Sequence, residues 1–379
     1  MSDISKSRDQ IDKIDDEIAK LYNKRMQLVK EIGQDKSRSN VNVFDGNREK
    51  AIINRVAKLV AEDVQLYTKQ VYMTLFDTSK AYQSRFVSHD SDLGSRLRTA
   101  LNSNQKFPDF ANVACQGVEG SYSSIAAEKL FAISDITYFK NFDGVFNAVE
   151  SGLCEYGVLP IENSTAGSVN AVYDLMRKHN FYIFKSIKLP VRHSLLAKKG
   201  INISDIKEIF SHEQALAQCN EYLKKFKNTK ITICDNTAIA AKIAIESTSF
   251  DVAAIAAPRC AELYGLSTIE NDIQDNDNNF TRFICISKRL VIFPGSNKIS
   301  IMVNLQHEPG SLNRLLSKFT AIGLNLTKLE SRPMTNTDFE FLFYFDFEGV
   351  IENIEVQNLI VELDSRQENF VFLGCYSEI

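Results

Sequence analysis

All seven prolines of this chain stand at or beyond Pro108. Proline is the residue that breaks helices most reliably, so residues 1–107 are free to build helices of unusual length. Their apolar residues fit that freedom. Ile4, Ile11, Ile14, Ile18, Leu21, Leu28 and Ile32 recur at three- and four-residue steps and their sums, the spacing of a seam buried between helices. Arg25 falls on the seam, where a lone buried charge is costly. It snorkels to water, pairs with an acid such as Glu49, or holds an anionic ligand. A second helix opens at Asp45, Arg48 and Glu49, ahead of Ile52, Ile53 and Val56. A third runs from about Leu66 to Phe86, with Ser79 and Gln83 one turn apart on one face. From Ser84 to Phe110 the periodicity is lost among Ser, Asp, Asn and Arg, which reads as the tail of helix three and a linker.

Beyond Pro108 the pattern changes to short apolar runs alternating with helical stretches. Strands are expected near Val113–Cys115, Tyr156–Leu159, Phe181–Phe184, Ile231–Ile233, Val252–Ile255 and Phe283–Ile286. Such alternation predicts an α/β fold with a parallel-rich sheet, whose ligands sit at strand ends beside helix starts. One stretch concentrates that chemistry. Tyr156–Ile161 is an apolar run, and Asn163, Ser164, Thr165 and Ser168 follow it just before the helical pattern of Val169, Val172, Leu175 and Met176. A strand feeding a helix N-terminus favours an anion, although simple capping by Ser164 or Ser168 explains the same residues.

Pro294 and Gly295 mark a second linker. After it Ile299, Ile301, Val303 and Leu305 alternate as a strand, Leu312, Leu315, Leu316, Phe319 and Ile322 follow a helical period, and Asn325–Leu329 is extended. Phe339, Phe341, Phe343 and Phe345 line one strand face, and a helix (Val356–Leu363) and strand (Phe370–Cys375) complete a βαββαβ order. That order is ferredoxin-like.

A chain of 379 residues exceeds one ordinary core and predicts two or three domains. No apolar stretch approaches the roughly 20 residues that span a bilayer, and the charged N-terminus is unlike a signal peptide, so the expectation is a cytoplasmic protein with no membrane partner. Seven scattered cysteines without a Cys-x-x-Cys pair argue for reduced thiols and against a zinc ribbon. Net charge is +4 over residues 1–107, −2 over 108–297 and −6 over 298–379. No block is basic enough to predict a nucleic-acid partner.

Residues 3–90 resemble the helical class of chorismate mutase. The matching polar positions are Arg8, Arg25, Lys36, Asp45, Arg48, Glu49, Ser79 and Gln83. The resemblance implies that Arg8 and Arg25 hold the substrate's carboxylates, and that Lys36 and Gln83 donate to its ether oxygen. Arg48, Glu49 and Ser79 would order the remaining carboxylate and hydroxyl, with Asp45 in support. A Claisen rearrangement needs only a folded dicarboxylate and stabilised charge on that oxygen. Geometry adds a partner: Arg8 and Arg25 are about 25 Å apart at ~1.5 Å rise per residue. Arg8 must therefore reach the site from a second chain, which predicts an intertwined homodimer.

Residues 110–288 resemble prephenate dehydratases, through Gly117–Ser123, Tyr156–Val169, His193–Leu195, Ser211–Cys219, Asn236–Ala241, Ala253–Leu266 and Asn279–Phe283. That family implies two α/β lobes clasping the substrate, like periplasmic binding proteins. It also implies that Thr281 assists departure of the hydroxyl, while Ser121, Asn163, Ser164, Gln214, Thr237, Arg282 and Phe283 contact substrate. Ser121 stands where the family usually has threonine, and Glu213 where it usually has proline. His193 and His212 are equally readable as acids or as packed histidines. The tail, with Gly310, Ser311 and Leu312 in its first turn and Glu330 and Ser331 after its second strand, resembles the ACT domain that binds phenylalanine; Ser311 replaces an alanine.

In this order the three stretches are similar to the bifunctional chorismate mutase/prephenate dehydratase family. The implied architecture is an all-α mutase domain (1–95), an α/β two-lobed dehydratase domain (109–290) and an α+β ferredoxin-like regulatory domain (296–379), with no cofactor and no metal. A mutase joined to a prephenate dehydrogenase would need a Gly-x-Gly-x-x-Gly turn, which the sequence lacks. A non-catalytic amino-acid sensor would not need Arg25, Lys36, Gln83 and Thr281.

Overall fold

The computed structural model describes residues 3–39, 46–84, 91–103, 105–305, 307–308, 310–333, 341–366 and 370–379. Its contacts divide into two compact units, Met1–Thr99 with Asn297–Phe372, and Ala100–Ser296 with Leu373–Ile379.

The first unit begins with α1 (Asp3–Ser39), α2 (Gly46–Ala57) and α3 (Gln65–Ser84), and α1 and α2 both pack on α3. α1 turns Val29 and Gly33 inward; a Cβ at Gly33 would lie 3.4 Å from Gln83, so the glycine lets the two helices approach. The seven seam residues are elsewhere, each between 44% and 66% exposed. Arg25 departs from the seam, turning its guanidinium to α3. Asp45 lies outside the described residues, as does the side chain of Lys36. α4 (Asp92–Leu101) occupies part of the expected linker, with Leu93, Leu97 and Ala100 buried. Its stripe is too short to stand out in a polar sequence.

The second unit holds two α/β lobes. The first contains β1 (Phe110–Gln116), α5 (Tyr122–Leu130), β2 (Ile133–Phe139), α6 (Phe142–Ser151), β3 (Tyr156–Asn163), β4 (Gly167–Ser168), α7 (Asn170–Lys178) and β5 (Tyr182–Pro190). The second contains β6 (Ser194–Ala197), β7 (Glu208–Ser211), α8 (Glu213–Gln218), α9 (Asn220–Leu223), β8 (Lys230–Ile233), α10 (Thr237–Glu246), β9 (Val252–Ala256), α11 (Arg259–Tyr264) and β10 (Ser267–Glu270). β11 (Phe280–Ser287) then returns to the first sheet, whose order is β2-β1-β3-β11-β5 with β4 beside β3; the other sheet runs β10-β6-β9-β7-β8. β2, β1 and β3 are parallel, as are β8, β7 and β9, but β11 and β6 run against their neighbours. These two strands follow the crossings between lobes, which is why the sheets are mixed rather than simply parallel.

Aromatic packing closes the first lobe. Phe107 and Phe293, at the chain's entry and exit, lie 5.3 and 4.9 Å from the Phe184 ring. The second lobe uses small residues instead: Ala238, Ala240, Ala241 and Ala244 of α10 are buried in the core that includes Ala254 and Ala256 of β9, allowing close helix–sheet packing.

The remaining elements are β12 (Lys298–Leu305), α12 (Ser311–Ala321), β13 (Asn325–Pro333), β14 (Phe341–Glu348), α13 (Ile354–Arg366) and β15 (Val371–Tyr376), in sheet order β13-β14-β12-β15. Phe319 of α12 packs 5.7 and 4.9 Å from Phe345 and Phe347; Phe339 lies outside the described residues. α12 also packs on α3, and a Cβ at Gly94 of α4 would lie 3.3 Å from Val361 of α13.

Candidate functional site

Around α3, Arg25 donates to Ser79 Oγ and, at 3.3 Å, to the Leu75 carbonyl. Ser79 is buried, so the cation is held where little water screens it. Glu49 does not pair with Arg25; Lys80 Nζ lies 3.3 Å from Glu49 and 3.1 Å from Asp77. Sequence reasoning missed Lys80, although it adjoins Ser79. Gln83 is buried, and its Oε1 has no hydrogen-bond partner among the described residues. An unpaired buried amide oxygen costs about 1–3 kcal/mol. Arg48 and Arg8 are exposed, and Arg8 sits far along α1 from Arg25. One chain thus brings Arg25, Ser79, Glu49 and Gln83 to α3 without Arg8.

In the two-lobed unit, Asn163 ends β3 and Thr281 is the second residue of β11, directly paired in register. Asn163 Oδ1 accepts from the backbone N–H of Thr165 and Ala166 at 3.0 and 2.8 Å, which fixes the amide's orientation. Its Nδ2 therefore faces Thr281 Oγ1 at 2.9 Å and Asn279 Oδ1 at 2.8 Å. Since Thr281 accepts from an amide donor, its own hydroxyl proton is left to donate. Asn279, 2% exposed, is a second residue that sequence reasoning did not single out, despite its place in the matched run.

Helix starts supply positive potential elsewhere in the same unit. Ser121 caps α5 by accepting from Ser124 N at 3.4 Å, and Asn236, also missed from sequence, caps α10 by accepting from Ile239 N at 2.8 Å. Gly117, at φ +107°, lies between them: a Cβ there would be 3.2 Å from Ser121 Cβ and 3.5 Å from Asn236 Nδ2. Two helix N-termini, one per lobe, meet at this glycine, and such ends attract anions. Thr237 opens α10, and Gln214 is exposed on α8. Ser164 is tied down, accepting from Phe280 N at 2.9 Å and donating to the Asn278 carbonyl at 3.0 Å. It holds the turn rather than projecting freely.

Two further residues expected to contact substrate are buried here. Arg282 is 5% exposed, donates to Tyr376 OH at 2.6 Å and lies 2.9 Å from Glu378; successive strand residues face opposite ways, so it points away from Thr281. Phe283 is sealed in the core with Ala126 and Leu189. His193 and His212 both make local contacts. His193 Nε2 lies 2.9 Å from Gln218 Oε1, and burial holds its pKa below the usual imidazole value, while His212 Nδ1 accepts from Gln214 N at 3.3 Å.

In the C-terminal stretch, Gly310 adopts φ +84° at the start of α12. Ser311 and Leu312 line a cavity of about 350 Å³ with Leu305, His307, Glu308, Phe341 and Phe343. Glu330 and Ser331, on the edge strand β13, are not among the lining residues.

Known proteins resemble the chain over both regions. The family described as prephenate dehydratase matches residues 113–290, and chorismate mutase type II matches residues 7–84. A bifunctional chorismate mutase/prephenate dehydratase of Aquifex aeolicus is 32% identical over 378 residues, covering 99% of this chain and 98% of its own. Arogenate dehydratase/prephenate dehydratase 2 of Arabidopsis thaliana is 38% identical over 78% of this chain and 81% of that one. The crystal structure of prephenate dehydratase from Arthrobacter aurescens in complex with L-Phe superposes with a TM-score of 0.64 at 29% identity, over 70% of this chain and 89% of that one. With a near full-length bifunctional relative and both family matches in the same order, the chain belongs to the bifunctional chorismate mutase/prephenate dehydratase family and carries both enzyme activities.

Proposed function

We propose that residues 1–95 rearrange chorismate, residues 109–290 convert the resulting prephenate to phenylpyruvate, and residues 296–379 bind phenylalanine as a feedback inhibitor. The observation that carries the second step is Asn163 Nδ2 donating to Thr281 Oγ1. As the ring carboxylate's C–C bond breaks, its electron pair enters the ring, carbon dioxide leaves, and the ring C–O bond breaks with the hydroxyl. Thr281 donates a hydrogen bond to that departing oxygen, and the helix starts capped by Ser121 and Asn236 steady the dianion. Asn163, Gln214 and Thr237 complete the grip.

For the rearrangement, Arg25 and a second chain's Arg8 hold the two carboxylates, Gln83 and Lys36 donate to the ether oxygen, and Ser79, Arg48, Glu49 and Asp45 set the rest of the substrate's pose. Support for the second chain comes from the exposed seam of α1. Burying an aliphatic side chain yields about 1.5–3 kcal/mol, so seven such residues favour a homodimer. A cytoplasmic location fits a chain in which, among the described residues, no helix is long and apolar enough to cross a membrane.

The small domain reads as an ACT domain from its βαββαβ order and from the cavity at Ser311 and Leu312. An aromatic side chain suits the Leu305, Phe341 and Phe343 walls, and Glu330 and Ser331 would approach from a partner's edge strand. Phenylalanine should lower prephenate turnover of the full chain by roughly 5- to 150-fold, the usual range of such coupling. Ser311→Phe, which fills the cavity, should weaken calorimetric phenylalanine binding by at least about tenfold. Unchanged binding in that folded variant would place the inhibitor elsewhere.

A further inference from the structure

The end of the chain reaches the dehydratase sheet through a crossing that admits no side chain. Gly374 in β15 has φ +140°, and a Cβ there would lie 2.5 Å from the Ile183 carbonyl oxygen and 3.2 Å from the Ile183 nitrogen of β5. Beyond it the last residues run along β5 as an added edge strand: Ser186 N donates to the Ser377 carbonyl at 3.1 Å, Ile379 N to the Ser186 carbonyl at 3.0 Å, and Lys188 N to the Ile379 carbonyl at 2.9 Å. The bridge is parallel. β5 in turn pairs with β11, where Lys188 stands opposite Arg282.

Glu378 joins these strands by its side chain. One oxygen lies 2.9 Å from Lys188 Nζ; the other accepts from Ser186 Oγ at 3.1 Å and lies 2.9 Å from Arg282 Nε. Tyr376 OH accepts from the same guanidinium. Arg282 and Ser186 are buried. Removing the carboxylate would take an anionic partner from a buried cation one residue from Thr281, a loss that destabilises the strand carrying both. The segment is also continuous with β15, whose sheet includes the cavity-lining strands β12 and β14.

We propose that Glu378 is a positioning residue for Thr281, acting through Arg282, and that residues 373–379 are the arm by which ligand in the small-domain cavity is sensed at the dehydratase site. The second half rests on the phenylalanine reading given above. It also changes how the regulatory region can be removed: cutting away 296–379 deletes an edge strand of the dehydratase sheet, so truncation confounds regulation with catalysis.

The test uses the full chain with Glu378→Gln, Arg282→Gln and both together, with Glu378→Asp as the milder change. Glu378→Gln should lower kcat for prephenate by about 10- to 100-fold, the scale for displacing a reacting group by up to an ångström. KM should stay within about twofold and chorismate turnover should not change, because the substrate's own contacts are untouched. The double variant should be no worse than Arg282→Gln alone, since the two act as one unit. Inhibition by phenylalanine should weaken while calorimetric phenylalanine affinity in the absence of prephenate stays within a few fold. Wild-type kcat in Glu378→Gln, additive losses in the double variant, or a parallel fall in mutase activity would overturn the positioning role; wild-type inhibition would overturn the arm. Were the unaltered protein to show no phenylalanine binding, the cavity reading and the arm would both fall, with positioning decided by kcat and the double variant.

Discussion

Thr281→Ala should lower prephenate turnover by about 10²-fold or more, the scale for losing a key transition-state donor, while chorismate rearrangement proceeds at the unaltered rate. The expectation follows from two observations. Thr281 Oγ1 is engaged by Asn163 as an acceptor at 2.9 Å, leaving its proton for the departing hydroxyl, and Thr281 and α3 belong to different compact units. Asn163→Ala should cost less, roughly tenfold, because it removes the group that orients the donor rather than the donor itself. Steady-state assays with each substrate check both. Loss of mutase turnover in folded Thr281→Ala protein would contradict the division of labour.

Arg25→Ala and Arg8→Ala should each lower chorismate turnover by about 10²-fold or more, since each removes a charged group that folds and holds the substrate. Their mixture should recover. The exposed seam of α1 argues for paired chains, and Arg8 cannot reach Arg25 along a single helix at ~1.5 Å per residue. After subunit exchange, half the dimers pair one variant with the other and hold one intact site of two, so turnover should return to about a quarter of the unaltered level. No recovery, with exchange verified by mass, would contradict the shared site.

How much of this was legible depended on how local each signal was. The α1 seam announced itself because seven residues repeat a helical spacing, and the Thr281 run because it is contiguous. The bond from Asn163 to Thr281 could not be read, since it joins residues 118 apart through β3–β11 pairing. Helix α4 was hidden by its length, its apolar stripe resting on Leu93, Leu97 and Ala100 among polar neighbours. The burial of Arg282 was not legible because a matched motif outweighed a simpler rule: next to Thr281 in a strand, it faces the other way. Arg25 drifted from its seam for a similar reason, since a long cation follows its partners, here Ser79 and the Leu75 carbonyl. Nothing near Glu378 in the sequence signals its role, which depends on a chain crossing at Gly374.

The central claim is that one chain performs two consecutive reactions. Its most direct test is to supply purified protein with chorismate alone and follow both products over time by chromatography. Prephenate should appear first and phenylpyruvate after it, with Thr281→Ala protein stopping at prephenate. Chorismate left unconsumed, or prephenate accumulating without phenylpyruvate in the unaltered protein, would contradict the account.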